Sequence, residues 1–244
     1  MLNLLKKELN GFFSSLIGYI VIIVFLLANG IFLWFFPGQF NIIENSYASL
    51  DSLFILSPWV FLFLVPAITM RLFADEKKSG TIEFLLTKPF TDIQIILAKY
   101  FAGLLLVLFS LLPTLIYFLS IYLLANPIGN VDLGGTWGSY FGLFFLSAIY
   151  VSIGIFASSI TENQIIAFLI AMILSFFLYI GFESISSIPF FEIISDIVIN
   201  LGINEHYKSM SRGVIDFRDL IYFISVIFLF LYSTKTVLES RKWR

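Results

Sequence analysis

The sequence predicts an all-α membrane protein with six transmembrane helices and both termini in the cytoplasm. Composition is the first reason. Of 244 residues, 59% are hydrophobic, 12% are charged and 30 are phenylalanine. An ordinary soluble domain carries about 25% charged residues. A chain of this length cannot hide so much apolar surface inside itself, so lipid is its expected solvent. The second reason is spacing: six stretches approach the roughly 20 apolar residues that a spanning helix needs. The third is charge asymmetry. Threading six spans places eleven Lys and Arg residues on one face and three, Lys208, Arg212 and Arg218, on the other. Basic residues favour the cytoplasmic side, which puts both termini there.

Residues 1–14 read as an amphipathic, interfacial helix. Leu2, Leu5 and Leu9 face apolar surroundings, while Lys6, Lys7 and Glu8 reach water. The apolar run that follows is too long for a signal peptide and lacks a small-residue cleavage site, so span 1 is expected to be retained. No charge occurs between Glu8 and Glu44, and span 1 is placed at 15–36. Span 2 lies between Asp51 and Arg71, with Pro58 and Pro66 expected to kink it.

The segment from Arg71 to Lys99 is lysine-rich and amphipathic. Gly80-Thr81 can break the chain and start a short helix capped by Thr81. Ile82, Leu85 and Leu86 then form one apolar stripe, with Glu83 and Lys88 off it, and Pro89 stops the helix. Such a helix can lie on lipid headgroups or insert into a groove on a protein. It is tethered at both ends by spans and buries little area, which suits a rigid hook that transmits a push. The N-terminal helix, if beside it, would brace it.

Span 3 runs from Asp92 to about Leu124, long enough to protrude into the cytoplasm, and is expected to bend at Pro113. Span 4 is placed at 139–160 and span 5 at 164–182. Thr91 with Gln94, and Thr161 with Gln164, have capping-box spacing and would open spans 3 and 5. Segment 183–218 is the longest connection. Its isoleucine and phenylalanine clusters alternate with Glu192 and Asp196 at helical spacing, which predicts a re-entrant or interfacial helix pair. It reads either as a lid over an export path or as a packing plug. Span 6 covers 219–238. No internal repeat or linker divides the chain, so residues 1–244 form a single membrane domain.

Little here points to chemistry. There are no cysteines, so disulfides, thiolate metal sites and a cysteine nucleophile are excluded. The Gly129–Gly135 stretch lacks the Lys and Ser/Thr of a phosphate-binding loop and reads as a connection between spans. His206 is the single histidine, cannot form a histidine pair for a metal, and reads as a loop residue on a polar surface. The span centres carry no charge, which argues against a proton- or ion-coupled carrier. Asn29, Asn163 and Gln164 read as interhelical hydrogen-bonding groups. The net charge of −2 gives no reason to expect nucleic acid. No catalytic or metal-ligating residue is expected.

Three places together resemble the ABC-2-type transporter permeases. The first is Arg71, Glu76, Gly80-Thr81, Glu83, Leu85-Leu86 and Pro89, followed by Lys99. The second is Lys7-Glu8-Leu9 with Phe13, Ser15 and Gly18-Tyr19. The third is His206-Tyr207 with Arg212-Gly213 and Asp216, Arg218, Asp219 and Tyr222-Phe223. The chain is most similar to the gliding-motility-associated permeases of that family, by its compact length, Phe-rich spans and its ending around 212–223. The resemblance implies a coupling helix between spans 2 and 3 that docks on a separate ATPase subunit. Glu76, Gly80, Thr81, Ile82, Glu83, Leu85, Leu86 and Pro89 would be its coupling residues. It implies that ATP and magnesium bind the partner, not this chain. It also implies a second permease, identical or different, and an accessory membrane subunit with an extracytoplasmic domain. The location implied is the bacterial inner membrane, with Arg212, Gly213 and Asp219 in the outer segment. Two other classes stand beside an exporter-type permease: a non-transporting scaffold for a motility or secretion complex, and a membrane-embedded enzyme. The last lacks any nucleophile–base or metal constellation.

Overall fold

The computed structural model of the protein describes residues 1–44, 47–86, 90–214 and 216–240. Among these residues every regular element is helical: α1 (Leu2–Phe13), α2 (Leu16–Trp34), α3 (Asp51–Thr69), α4 (Arg71–Lys78), α5 (Thr81–Leu86), α6 (Asp92–Leu111), α7 (Leu115–Leu124), α8 (Leu133–Ile160), α9 (Gln164–Phe176), α10 (Phe182–Ser186), α11 (Ser195–Ile199), α12 (Ile203–Ser211) and α13 (Phe217–Glu239). Six helical stretches are long and apolar enough to cross a membrane. They are α2, α3 with α4, α6 with α7, α8, α9 with α10, and α13.

Span 4, α8, is the hub. It packs against α3, α4, α6, α9, α12 and α13. In lipid, helices gain nothing by hiding apolar surface from one another, so close packing of small residues holds such bundles. Here α8 supplies them. A methyl group built on Gly154 would sit 1.9 Å from Thr69 Oγ1, so α3 and α8 can approach this closely only because residue 154 has no side chain. Asn29, buried in α2, accepts a hydrogen bond from Ser57 Oγ of α3 at 3.2 Å, the interhelical role expected of it. Phe25 and Phe61 stack nearby with centroids 4.3 Å apart.

The prolines differ in how far they interrupt their helices. Pro113 does interrupt span 3, where a 3₁₀ turn at Leu112–Thr114 separates α6 from α7. By contrast, α3 runs unbroken through Pro58 and Pro66. Pro58 has no N–H, so the carbonyl of Phe54 four residues earlier loses its helical donor. Tyr207 supplies the replacement, its hydroxyl donating to the Phe54 oxygen at 2.7 Å. The break in span 2 falls instead at Met70, between α3 and α4.

The Thr91 capping box forms, with Thr91 and Gln94 bonded reciprocally. The second box does not. Asn163 caps α9 by accepting from Ile165 N–H at 2.9 Å, and Gln164 turns away to a different partner. Of the glycines read as a connection before span 4, Gly134 and Gly135 lie in the first turn of α8. Gly213, at φ +83°, lies so close to Gly134 that an added Cβ would be 2.8 Å from the Gly134 carbonyl carbon. Span 5 ends with α10, and the long connection to span 6 holds a 3₁₀ turn at Pro189–Ile194, α11 and α12.

Candidate functional site

The candidate site lies at the end of the bundle where α1, α4, α5 and the start of α6 meet. Helix α4 continues span 2 beyond the bundle, so the segment 71–78, read from sequence as the start of a hook, is a rigid extension of a spanning helix. Its origin is a side chain from span 4. Ser158 Oγ accepts from the N–H groups of Phe73 at 2.9 Å and Ala74 at 3.0 Å, and donates to the Met70 carbonyl at 2.8 Å. A hydroxyl inserted between these donors and this acceptor breaks the helical ladder at Met70 while satisfying two N–H groups and the Met70 carbonyl. Thus α4 starts with a cap lent by another helix. Its far end is fastened as well: the Lys77 ammonium donates to the Ser159 carbonyl, and Gln164 Nε2 donates to Asp75 Oδ1.

Beyond Lys78 the chain reverses at Gly80, φ +69°, a conformation costly for a residue with a Cβ. Helix α5 then begins at Thr81. The hydroxyl of Thr81 lies 2.8 Å from Ser79 Oγ and donates to the Glu76 carbonyl at 3.4 Å, joining α5 to the end of α4. Ile82 is buried, while Thr81 and Glu83 are exposed. Leu85 and Leu86 complete the helix's last turn. Pro89 lies outside the described residues.

A buried charge cluster holds α1, α4 and α6 together. Lys99, only 1% exposed, sits in the second turn of α6. Its ammonium is 3.0 Å from Glu76 Oε1 and 3.3 Å from Glu8 Oε1, donates to the Leu72 carbonyl at 2.7 Å, and lies 5.0 Å from the Phe73 ring centre. Lys7, mostly exposed, stands 3.6 Å from the same Glu76 oxygen. Two ammonium groups therefore face two carboxylates, and the cluster is neutral. Burying a lysine is costly unless partners of opposite charge surround it, and here they come from two other helices. The second carboxylate oxygen of Glu76 is buried with no hydrogen-bond partner among the described residues.

This corrects the reading of the N-terminal helix. Leu2 is 72% exposed, and the buried face is Leu4 and Phe12 with Glu8 between them at helical spacing. Glu8 turns inward because Lys99 waits there. Lys6 and Lys7 remain on the wet side. Arg71 extends the junction, reaching Ser15 Oγ at 3.4 Å and lying 5.1 Å from the Phe12 ring centre. Sequence reasoning gave Lys99 a topological role and missed Asp75 and Ser158 altogether. A lysine one helical turn past the capping box was the available signal for an interior position; nothing marked Ser158 among the many serines of span 4.

The outer-segment residues do not join this cluster. Arg212 is exposed after α12, and Gly213 makes the tight contact with Gly134. Asp219, in the first turn of α13, pairs with His206 Nδ1 at 2.7 Å. The other His206 nitrogen is 2.9 Å from the Asn200 carbonyl, and its ring stacks on Tyr222 at 3.9 Å. His206 is thus a half-buried tie between α12 and α13, not a loop residue on a polar surface. Among the described residues no cluster of three His, Cys, Asp or Glu could hold a metal ion.

Comparison with known proteins agrees with this architecture. No curated protein matches the chain. A family model described as ABC-2 family transporter protein matches residues 2–213, spanning α1 through the turn after α12. With its six membrane-spanning helices, the chain belongs to the ABC-2 transporter family and is a transmembrane permease of an ABC transporter.

Proposed function

We propose that this permease is driven by a separate ATPase subunit that docks on α5 and on the α1–α4–α6 junction. The observation that carries this reading is the mounting of α5. A short helix with Thr81 and Glu83 exposed is joined to the α4 extension of span 2, and that extension is tied to spans 3 and 4. A force on α5 enters the bundle directly. The eleven-to-three excess of basic residues favours a cytoplasmic position for this end, and hence for both termini. ATP and magnesium would bind the partner. Closure of two ATPase subunits would bias two permeases between inward- and outward-facing states, a population shift set by nucleotide. The ending around 212–223, the compact length and the Phe-rich spans support placement among the gliding-motility permeases of a bacterial inner membrane, with an accessory membrane subunit that has an extracytoplasmic domain.

The test is to change Glu83→Ala and Leu85→Ala together and measure co-purification with the ATPase and its stimulated hydrolysis. Loss of both in a folded variant is expected. Unchanged binding and turnover would remove α5 from the coupling path. A scaffold that moves no substrate is the second reading, favoured by the gliding resemblance; an ATPase-dead partner that leaves the cellular phenotype intact would select it.

A further inference from the structure

A cavity of about 680 Å³ opens at the end of the bundle opposite α5, within a single chain. Its walls are α3, the span-5 segment 179–187 and α12. Asp51, Ile55 and Trp59 line it from α3 at i, i+4 and i+8, a strip about 12 Å long on one helix face. Facing them are Tyr179, Ile180 and Glu183. Tyr179 and Ile180 belong to a π-helical turn of span 5 at Phe177–Gly181, a feature that recurs at functional sites. The ends of the strip differ. Trp59 and Tyr179 meet edge to face with centroids 5.9 Å apart at the deep end. Asp51 stands at the start of α3, and Glu183 and Lys208, paired with each other, line the same cavity.

The charges lining the cavity are unequal. Lys208 is consumed by Glu183 at 3.0 Å, and Asn204 Nδ2 donates to the other Glu183 oxygen at 2.6 Å. Asp51 makes no ion pair among the described residues, although the N-terminus of α3 offsets part of its charge. The mouth thus keeps one negative charge in excess above an aromatic, apolar floor. We infer that this cavity binds amphipathic cations, with the positive head beside Asp51 and Glu183 and the apolar body along Ile55 toward Trp59 and Tyr179. Carboxylates attract the head, and aromatic faces accept a diffuse positive charge. The head could be the amine of an outer-leaflet phospholipid or that of a free amphiphile.

As a substrate or regulator site it rests on the permease reading, but binding is measured without any ATPase. Its failure would therefore leave the permease assignment standing. The probe is tetraphenylphosphonium, titrated calorimetrically into the full chain in nonionic maltoside micelles. Saturable binding at one site per chain is expected. Asp51→Asn and Trp59→Ala should each weaken it roughly tenfold. Lys208→Gln should tighten it several-fold, because it frees Glu183 and removes the competing ammonium. Lys208 is half-exposed, so this last variant keeps the test open should another fail to fold. Displacement by added phosphatidylethanolamine but not phosphatidylglycerol identifies the lipid amine as occupant, and no displacement by either identifies a free amphiphile. Absence of saturable binding, affinity unmoved by Asp51→Asn, or weaker binding in Lys208→Gln would overturn the inference, the last by showing an anion site.

Discussion

Replacing Lys99 by methionine isolates the worth of the buried cluster. The side chain keeps nearly the same length, so packing against Phe73 is retained and only the charge is removed. Glu8 and Glu76, whose side chains are 11% and 16% exposed, then confront each other with Lys7 as the one ammonium paired to them and Arg71 acting on Glu8 at longer range. Lys7 is 61% exposed and no nearer than 3.6 Å, so its compensation is weak. The Leu72 carbonyl also loses its ammonium donor. Removing one partner from a buried ion pair costs about 3–5 kcal/mol. For a chain of this size each kcal/mol moves the melting temperature by about 2–4 °C, so a fall of roughly 10 °C is expected. The assay is recovery of the monodisperse size-exclusion peak after heating in maltoside. Adding Glu8→Gln and Glu76→Gln to Lys99→Met should restore most of the loss, since neutral amides need no counter-ion. Lys7→Met alone should shift melting little. A Lys99→Met variant as stable as the parent, or a triple variant no better than the single one, would refute the claim that charge balance holds α1, α4 and α6 together.

Three other outcomes follow from the packing. Gly154→Ala should cost about 1–3 kcal/mol, because its new methyl meets the Thr69 hydroxyl at 1.9 Å; the same thermal assay should show Thr69→Ala recovering part of the loss. Tyr207→Phe should cost about 1–3 kcal/mol by leaving the Phe54 carbonyl unpaired. In a Pro58→Ala background, where a helical N–H returns, the same change should cost less; equal costs would refute the compensation. Ser158→Ala should cost about 1 kcal/mol, as loss of a helix cap does, and should speed amide exchange at Phe73 and Ala74, read by hydrogen–deuterium exchange.

What the sequence made legible was whatever repeats a physical rule locally. Apolar length marked the spans, and span 1, placed at 15–36, is α2 at Leu16–Trp34. The Thr91–Gln94 box was legible because its partners are three residues apart. The Thr161–Gln164 box has the same spacing and fails, because Gln164 finds Asp75 across 89 residues. Long-range contacts decide such cases, and local spacing cannot register them. The N-terminal helix shows the same limit. Its hydrophobic pattern placed Leu2 inward and Glu8 outward, yet the bundle inverts both because a buried lysine lies opposite Glu8. Pro58 was read by its own chemistry as a kink. The carbonyl it leaves without a helical donor, that of Phe54, is satisfied by a hydroxyl 153 residues further along the chain.

In the proposed coupling, the contacts of α4 set which parts of the junction move together. A load on α5 leaves through α4 by two routes. One is the Ser158 cap and the Lys77 and Asp75 ties to span 4 and the start of span 5. The other is the Lys99 cluster, which leads to span 3 and the N-terminal helix. The first is made of neutral or singly charged hydrogen bonds along α4, starting at the break in span 2, where the main chain is already interrupted and can hinge. The second is a neutral cluster of four charges that is costly to separate. Spans 3 and the α4 extension should therefore swing as one body with α1, pivoting at Met70 against span 4. Cross-linking separates the alternatives: a disulfide joining α1 to α6 should leave stimulated ATP hydrolysis intact, whereas one joining α4 to the end of α8 should abolish it. The opposite pattern would place the pivot at Lys99.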